Sequence, residues 1–207
     1  MTDELYIPPP VKKDTRMLGI ALALAAAALL LFAAFSRMWL ANPRAGLGIG
    51  FGPMGCRNCN VMSLMGSEGP SNMSNGAFIS MVREADPSAA NETSGAFAPM
   101  GWATFAVCVI AALGLVATAF LAFTKKRPEL PMSPASLALL MIMIGLITGC
   151  VFVATKPGGT GFVGVAIGFW CFGVGCVLGI AGAQMLAKEI RPVDPDLLEG
   201  AMNPEQY

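Results

Sequence analysis

Four long apolar stretches with no Asp, Glu, Lys or His inside them, and Arg only at the edge of the first, decide what this chain can fold into. They cover residues 17–40, 101–124, 134–155 and 161–187. Each holds roughly 20 or more mostly apolar residues, enough at about 1.5 Å rise per residue to cross a hydrocarbon core about 30 Å thick. A chain of 207 residues cannot wrap four such helices, apolar all round, in its own protein. The expected fold class is an all-α membrane protein: an antiparallel four-helix transmembrane bundle carrying a small extracytoplasmic loop domain with short strands.

The basic residues orient it. Lys12, Lys13, Arg16, Lys125, Lys126, Arg127, Lys188 and Arg191 fall on one side of the spans, and Arg37, Arg44, Arg57, Arg83 and Lys156 are spread thinly over the other. The positive-inside rule then puts the tails 1–16 and 188–207 and the loop 125–133 in the cytoplasm. Residues 41–100 become the extracytoplasmic domain and 156–160 an outer turn. The polar leader with Pro8, Pro9 and Pro10, followed by a long apolar run, reads as a signal anchor rather than a cleaved signal peptide. The expected location is a plasma or bacterial inner membrane. Formal net charge is zero and no extended basic tract occurs, so nucleic acid is not an expected partner.

Without ionisable groups in the spans, the usual intramembrane chemistry has no carriers. Proton-coupled transporters and voltage sensors use buried acids, bases or arginines. The spans offer hydroxyls and one amide, Thr104, Thr118, Ser136, Thr148 and Gln184 among them, and the chain contains no histidine, which excludes histidine-ligated haem, copper and zinc and a Ser-His-Asp triad. The expectation is a non-catalytic protein without a cofactor.

Packing is the alternative use of such helices. Gly161, Gly168, Gly175 and Gly182 recur every seven residues, with Gly164 and Gly179 near the same line. In lipid, close backbone approach and dispersion hold helices together, so this line reads as a packing seam, either within the bundle or against another subunit. Gly145 and Gly149 in the third span and Ala103, Ala106, Gly114 and Ala117 in the second are partners for it. Gly159, Gly161 and Gly164 also match the dinucleotide pattern G-x-G-x-x-G, but they open a transmembrane helix instead of following a strand, so no nucleotide is expected.

The first outer loop is the one segment long enough for a domain. Leu47-Gly48-Ile49-Gly50-Phe51 reads as a strand, Gly52-Pro53 as a turn and residues 77–84 as a short amphipathic helix. Between them stand Cys56 and Cys59. On the outer side of a membrane disulfides persist, and a structural Cys56–Cys59 bridge is the leading reading, while Cys108, Cys150, Cys171 and Cys176 lie in spans as small packing residues. Two alternatives stay open. The C-x-x-C spacing suits a redox-active pair, and Met54, Met62 and Met65 beside the two sulfurs make a soft donor set for Cu(I). Asn72-Met73-Ser74 and Asn91-Glu92-Thr93 are glycosylation sequons that face outward in this topology.

The layout of four spans, with Trp39 opening a large first outer loop, then Gly50-Phe51-Gly52 and a cysteine pair, resembles the claudin and peripheral myelin protein superfamily. That resemblance implies a small outer sheet stapled by a disulfide, and roles in cell contact, paracellular barriers or as accessory subunits of channels. The cysteines stand closer together here than in that family, and the second outer loop is shorter. Cys56 and Cys59 at the outer face also resemble the four-helix thiol oxidases of the disulfide-bond-forming and vitamin K epoxide reductase type, which implies quinone-linked thiol oxidation. The expected function is a structural or accessory subunit of a membrane assembly, its partners being the lipid bilayer and other membrane proteins or further copies of itself.

Overall fold

The computed structural model describes residues 15–42, 48–59, 71–85, 94–124, 133–157 and 163–190. Four long helices dominate: α1 (Arg16–Phe35), α3 (Phe97–Thr124), α4 (Pro134–Ala154) and α5 (Ile167–Ile190). A shorter helix, α2 (Asn75–Ala85), lies between the first and second long helices. Five short strands complete the fold: β1 (Leu40–Ala41), β2 (Gly50–Gly52), β3 (Gly55–Arg57), β4 (Asn72–Met73) and β5 (Gly164–Val165).

All four long helices are long and apolar enough to cross a membrane. Their outward faces agree: Leu113, Phe120, Ile147 and Val177, all mid-helix, are 62–67% exposed. Water penalises such stripes at about 25 cal/mol per Å² of apolar surface, and acyl chains do not. The chain therefore reads as a multi-pass membrane protein. The helices alternate in direction and pack as a square in which α1 touches α5 and α3, α4 touches α3 and α5, and α3 and α5 also touch across the diagonal. Arg16 at the start of α1 donates to the Phe123 carbonyl at the end of α3 over 2.7 Å, which fixes their opposite directions.

Helix starts and stops have local causes. Ser133 caps α4, its hydroxyl accepting from the Ser136 amide at 3.2 Å with Pro134 at the first helical position. At the other end of α1, Ser36 turns extended (φ −69°, ψ 132°) and the chain leaves as strand. The apolar run continues to Leu40, so hydropathy overshoots the helix by five residues. Trp39 and Leu40 are buried in a sheet instead of lipid, and hydropathy does not separate the two environments. The fourth helix shows the same error at its start. Residues 164–165 are strand β5, and α5 begins at Ile167 rather than at 161. The second begins earlier than hydropathy sets it, at Phe97 instead of 101.

The sheet is antiparallel throughout, in the order β4-β3-β2-β1-β5. Gly52 pairs with Gly55 across a two-residue turn of Pro53 and Met54, so β2 and β3 form a tight hairpin. The start of the expected fourth span supplies the fifth strand instead, through Leu40↔Val165 and Ala41↔Gly164. Lys156 holds this return in place by donating to the Val163 carbonyl at 2.7 Å.

Candidate functional site

Cys56 and Cys59 are brought together by a left-handed residue. Asn58 has φ +55°, a conformation Asn tolerates better than most residues, and its Nδ2 donates to the Gly48 carbonyl at 3.3 Å. That reversal brings the Cα atoms of Cys56 and Cys59 to 6.1 Å, and a disulfide joins them. Cys56 pairs with Phe51 on β2 and with Met73 on β4, and the Cys59 amide donates to Ser71 at 3.1 Å. The bridge thus clips the end of β3, beside the edge strand β4. Both residues are 0% exposed. A thiolate must reach a sulfur to exchange with it, and neither sulfur is presented to solvent.

Beneath the staple runs a column of aromatic rings. Phe51, opposite Cys56, packs edge-on against Phe78 of α2 at 4.9 Å and against Phe97 of α3 at 5.9 Å. Phe97 stacks on Phe152 of α4 at 4.7 Å, Phe152 meets Trp39 at 5.9 Å, and Trp39 lies 4.8 Å from Phe172 of α5. These are offset and edge-to-face geometries, each worth about 0.5–1.5 kcal/mol beyond burial. One column therefore ties the sheet, α2 and three of the long helices together.

Trp39 is its centre. The indole Nε1 donates to the Ala33 carbonyl at 2.6 Å, a second donor to an oxygen that also accepts from the Ser36 amide at 3.2 Å at the end of α1. Its own backbone extends the sheet on both sides: its amide donates to Phe51 and its carbonyl accepts from Ala166, each at 2.8 Å. Two glycines make room for the ring. A Cβ on Gly168 would lie 2.6 Å from Trp39 Cδ1, and one on Gly149 would lie 3.4 Å from Cζ3.

Asn75 locks the hairpin from above. Fully buried, its Nδ2 donates to the carbonyls of Gly52 (3.0 Å) and Pro53 (3.3 Å). Gly101 of α3 lies directly below, where a Cβ would come within 2.6 Å of the Pro53 oxygen.

The glycine line of the fourth span divides by partner. Gly161 lies outside the described residues. Gly164 is in β5 rather than on a helix, so it does not belong to a helical seam. Gly168 serves Trp39, Gly175 and Gly182 face α1 at Leu29 and Leu30 and at Ala23, and Gly179 faces the bundle interior, nearest Ile142 of α4 and Leu115 of α3 and then Ala26 of α1. At Gly182 the two backbones nearly touch, a Cβ there lying 2.8 Å from the Ala23 amide nitrogen. These four glycines are occupied within the chain. Gly173, which the seven-residue spacing passes over, has nothing within 4 Å and lies open on the outside of the bundle.

The polar groups in the spans are used locally. Thr104 donates to the Met100 carbonyl at 2.8 Å, Thr118 to Gly114 at 2.7 Å and Thr148 to Gly145 at 3.2 Å. Ser136 is absorbed in the cap of α4, and Gln184 is exposed near the far end of α5. Of the loop methionines, Met62 and Met65 lie outside the described residues, as does Asn91, whereas Asn72 is exposed on β4. Sequence reasoning singled out Trp39 but missed Phe97, Phe152 and Asn75, whose only signal is their position at the ends of apolar runs or beside a turn.

In sequence comparisons no protein-family model matches this chain, and no curated protein matches it.

Proposed function

We propose that this protein is a non-catalytic, structural or accessory subunit of a membrane protein assembly, built on the claudin and peripheral myelin plan. Its sheet faces outward and both termini lie in the cytoplasm of a plasma or bacterial inner membrane. The observation that carries this reading is the junction at Trp39. A stapled sheet fused through interlocked rings to three long helices is a rigid platform, not a gate or a moving lid, and rigid surfaces lower the ordering cost of binding. The antiparallel outer sheet with its disulfide corresponds to what the claudin resemblance leads one to expect. Thr104, Thr118 and Thr148 donate to carbonyls of their own helices.

Burial of both Cys56 and Cys59 weighs against the thiol oxidase and Cu(I) readings, since each needs an accessible sulfur. The Trp39 platform needs none.

Purification from native membranes in a mild detergent tests the proposal. The protein migrates with a larger complex, and Trp39→Ala releases it from that complex even when the variant reaches the membrane. A wild-type chain that elutes alone from native membranes would sink the subunit reading.

A further inference from the structure

Five large apolar side chains at the sheet end of the bundle point away from it. Trp102 on α3 is 49% exposed, Trp170 on α5 64%, and Phe35, Val165 and Ile167 are exposed beside them. Ring contacts place them at one level. Phe105 touches both Phe35 (5.3 Å) and Trp102 (5.8 Å), while Trp170 lies 6.5 Å from Phe169, which packs on Trp39 just past the end of α1. Arg37 and Lys156 follow the ends of α1 and α4 at the same end of the bundle.

A protein partner would cover one side of the bundle. These side chains are not on one side, because α3 and α5 occupy diagonal corners of the square, each packed against both α1 and α4. The feature that meets opposite faces at a single height is the membrane boundary. Indole is suited to that boundary, with an apolar body and an N–H donor. The distances agree: 21 residue steps from Trp102 to Phe123 make about 32 Å of helix, and 17 steps from Trp170 to Ala187 make about 26 Å, bracketing a hydrocarbon core of about 30 Å. Below the two tryptophans the outward residues of these helices, among them Ile110, Leu113, Val116 and Phe120 on α3 and Val174 and Val177 on α5, are apolar.

We infer that Trp102 and Trp170 mark the boundary between headgroups and acyl chains of the outer leaflet, and that Val165 and Ile167 dock on the same lipid surface. This rests on the membrane-spanning reading and adds a depth to it. One edge of the sheet, β5, then lies in the phospholipid interface, and the opposite edge, β4, stands farthest from it across the sheet order. Arg37 and Lys156 sit where lipid phosphates would meet them.

The chain has three tryptophans, and Trp39 is 0% exposed, so fluorescence separates the classes. The full chain is reconstituted into phosphatidylcholine vesicles that carry bromine either near the top of the acyl chains or near their ends. Wild type loses more emission to the shallow bromines than to the deep ones. Trp102→Phe and Trp170→Phe each remove part of that loss, and the double variant, with Trp39 alone, loses almost none. Stronger quenching by the deep bromines, or by aqueous iodide than by any lipid, overturns the assigned depth. Quenching absent from wild type that does float with the vesicles means protein covers the rings and likewise overturns it. Failure to float with vesicles at all would bring down the membrane reading itself, a separate outcome.

Discussion

The two ends of the bundle are held by opposite kinds of side chain. Away from the sheet, α1 and α5 meet through small residues, Gly182 against the Ala23 backbone, with Gly19 receiving Leu186 and Gly175 receiving Leu30. At the sheet end the space is filled by Trp39, Phe51, Phe97, Phe152 and Phe172, and Gly168 and Gly149 clear room there for the indole. The difference follows from what each end must join. Two parallel-sided helices in lipid gain most by closing the gap between them. A sheet set across the ends of four helices leaves a wide, irregular space that only large rings can fill at native density.

Substitutions separate the two ends by size of effect. Trp39→Ala removes the largest buried ring and the bond to Ala33, and should cost about 3–5 kcal/mol. Thermal unfolding of the detergent-purified variant checks it, and the loss should be read in the outer domain first. An unchanged transition would mean the rings do not bind sheet to bundle. Gly182→Leu forces α1 and α5 apart with an expected cost of about 3 kcal/mol, at the upper end of overpacking penalties. A crosslink engineered between α1 and α5 should then form more slowly while the outer disulfide persists.

Smaller effects come next. Replacing both Cys56 and Cys59 by Ser should cost about 2 kcal/mol, the loop-closure value for a bridge enclosing so few residues. Protease sensitivity of the outer loop should rise while the helices keep their helical circular dichroism. Collapse of the helical signal too would mean the staple supports the bundle directly. Gly173→Ala should change stability by less than about 0.5 kcal/mol, since nothing lies near the added methyl group. A marked loss there, seen only in native membranes and not in detergent, would show that another chain packs on this face.

The same contrast governs what the sequence discloses. The four spans are legible because each is a local run of composition, and the spacing of Gly168, Gly175 and Gly182 is legible because a helix repeats locally. That α1, not α4, receives Gly175 and Gly182 is not legible, since small residues occur on every span. The aromatic column is harder still. Its members at positions 39, 51, 97, 152 and 172 are scattered along the chain and meet only after the fold is complete. Strand β5 escapes notice for a related reason. Two residues carry no period, and only pairing with Leu40 and Ala41 makes them a strand. The error at 35 has a plain cause: Trp39 and Leu40 are buried by protein, and hydropathy reads that as lipid.

The proposed outward orientation of the platform is tested most directly by labelling intact cells that carry one epitope tag in the 86–93 segment and another after Tyr207. The loop tag should react with antibody before permeabilisation and the terminal tag only afterwards. A terminal tag that reacts on intact cells, with the loop tag hidden, would contradict the orientation and with it the placement of the Trp39 platform on the outer face.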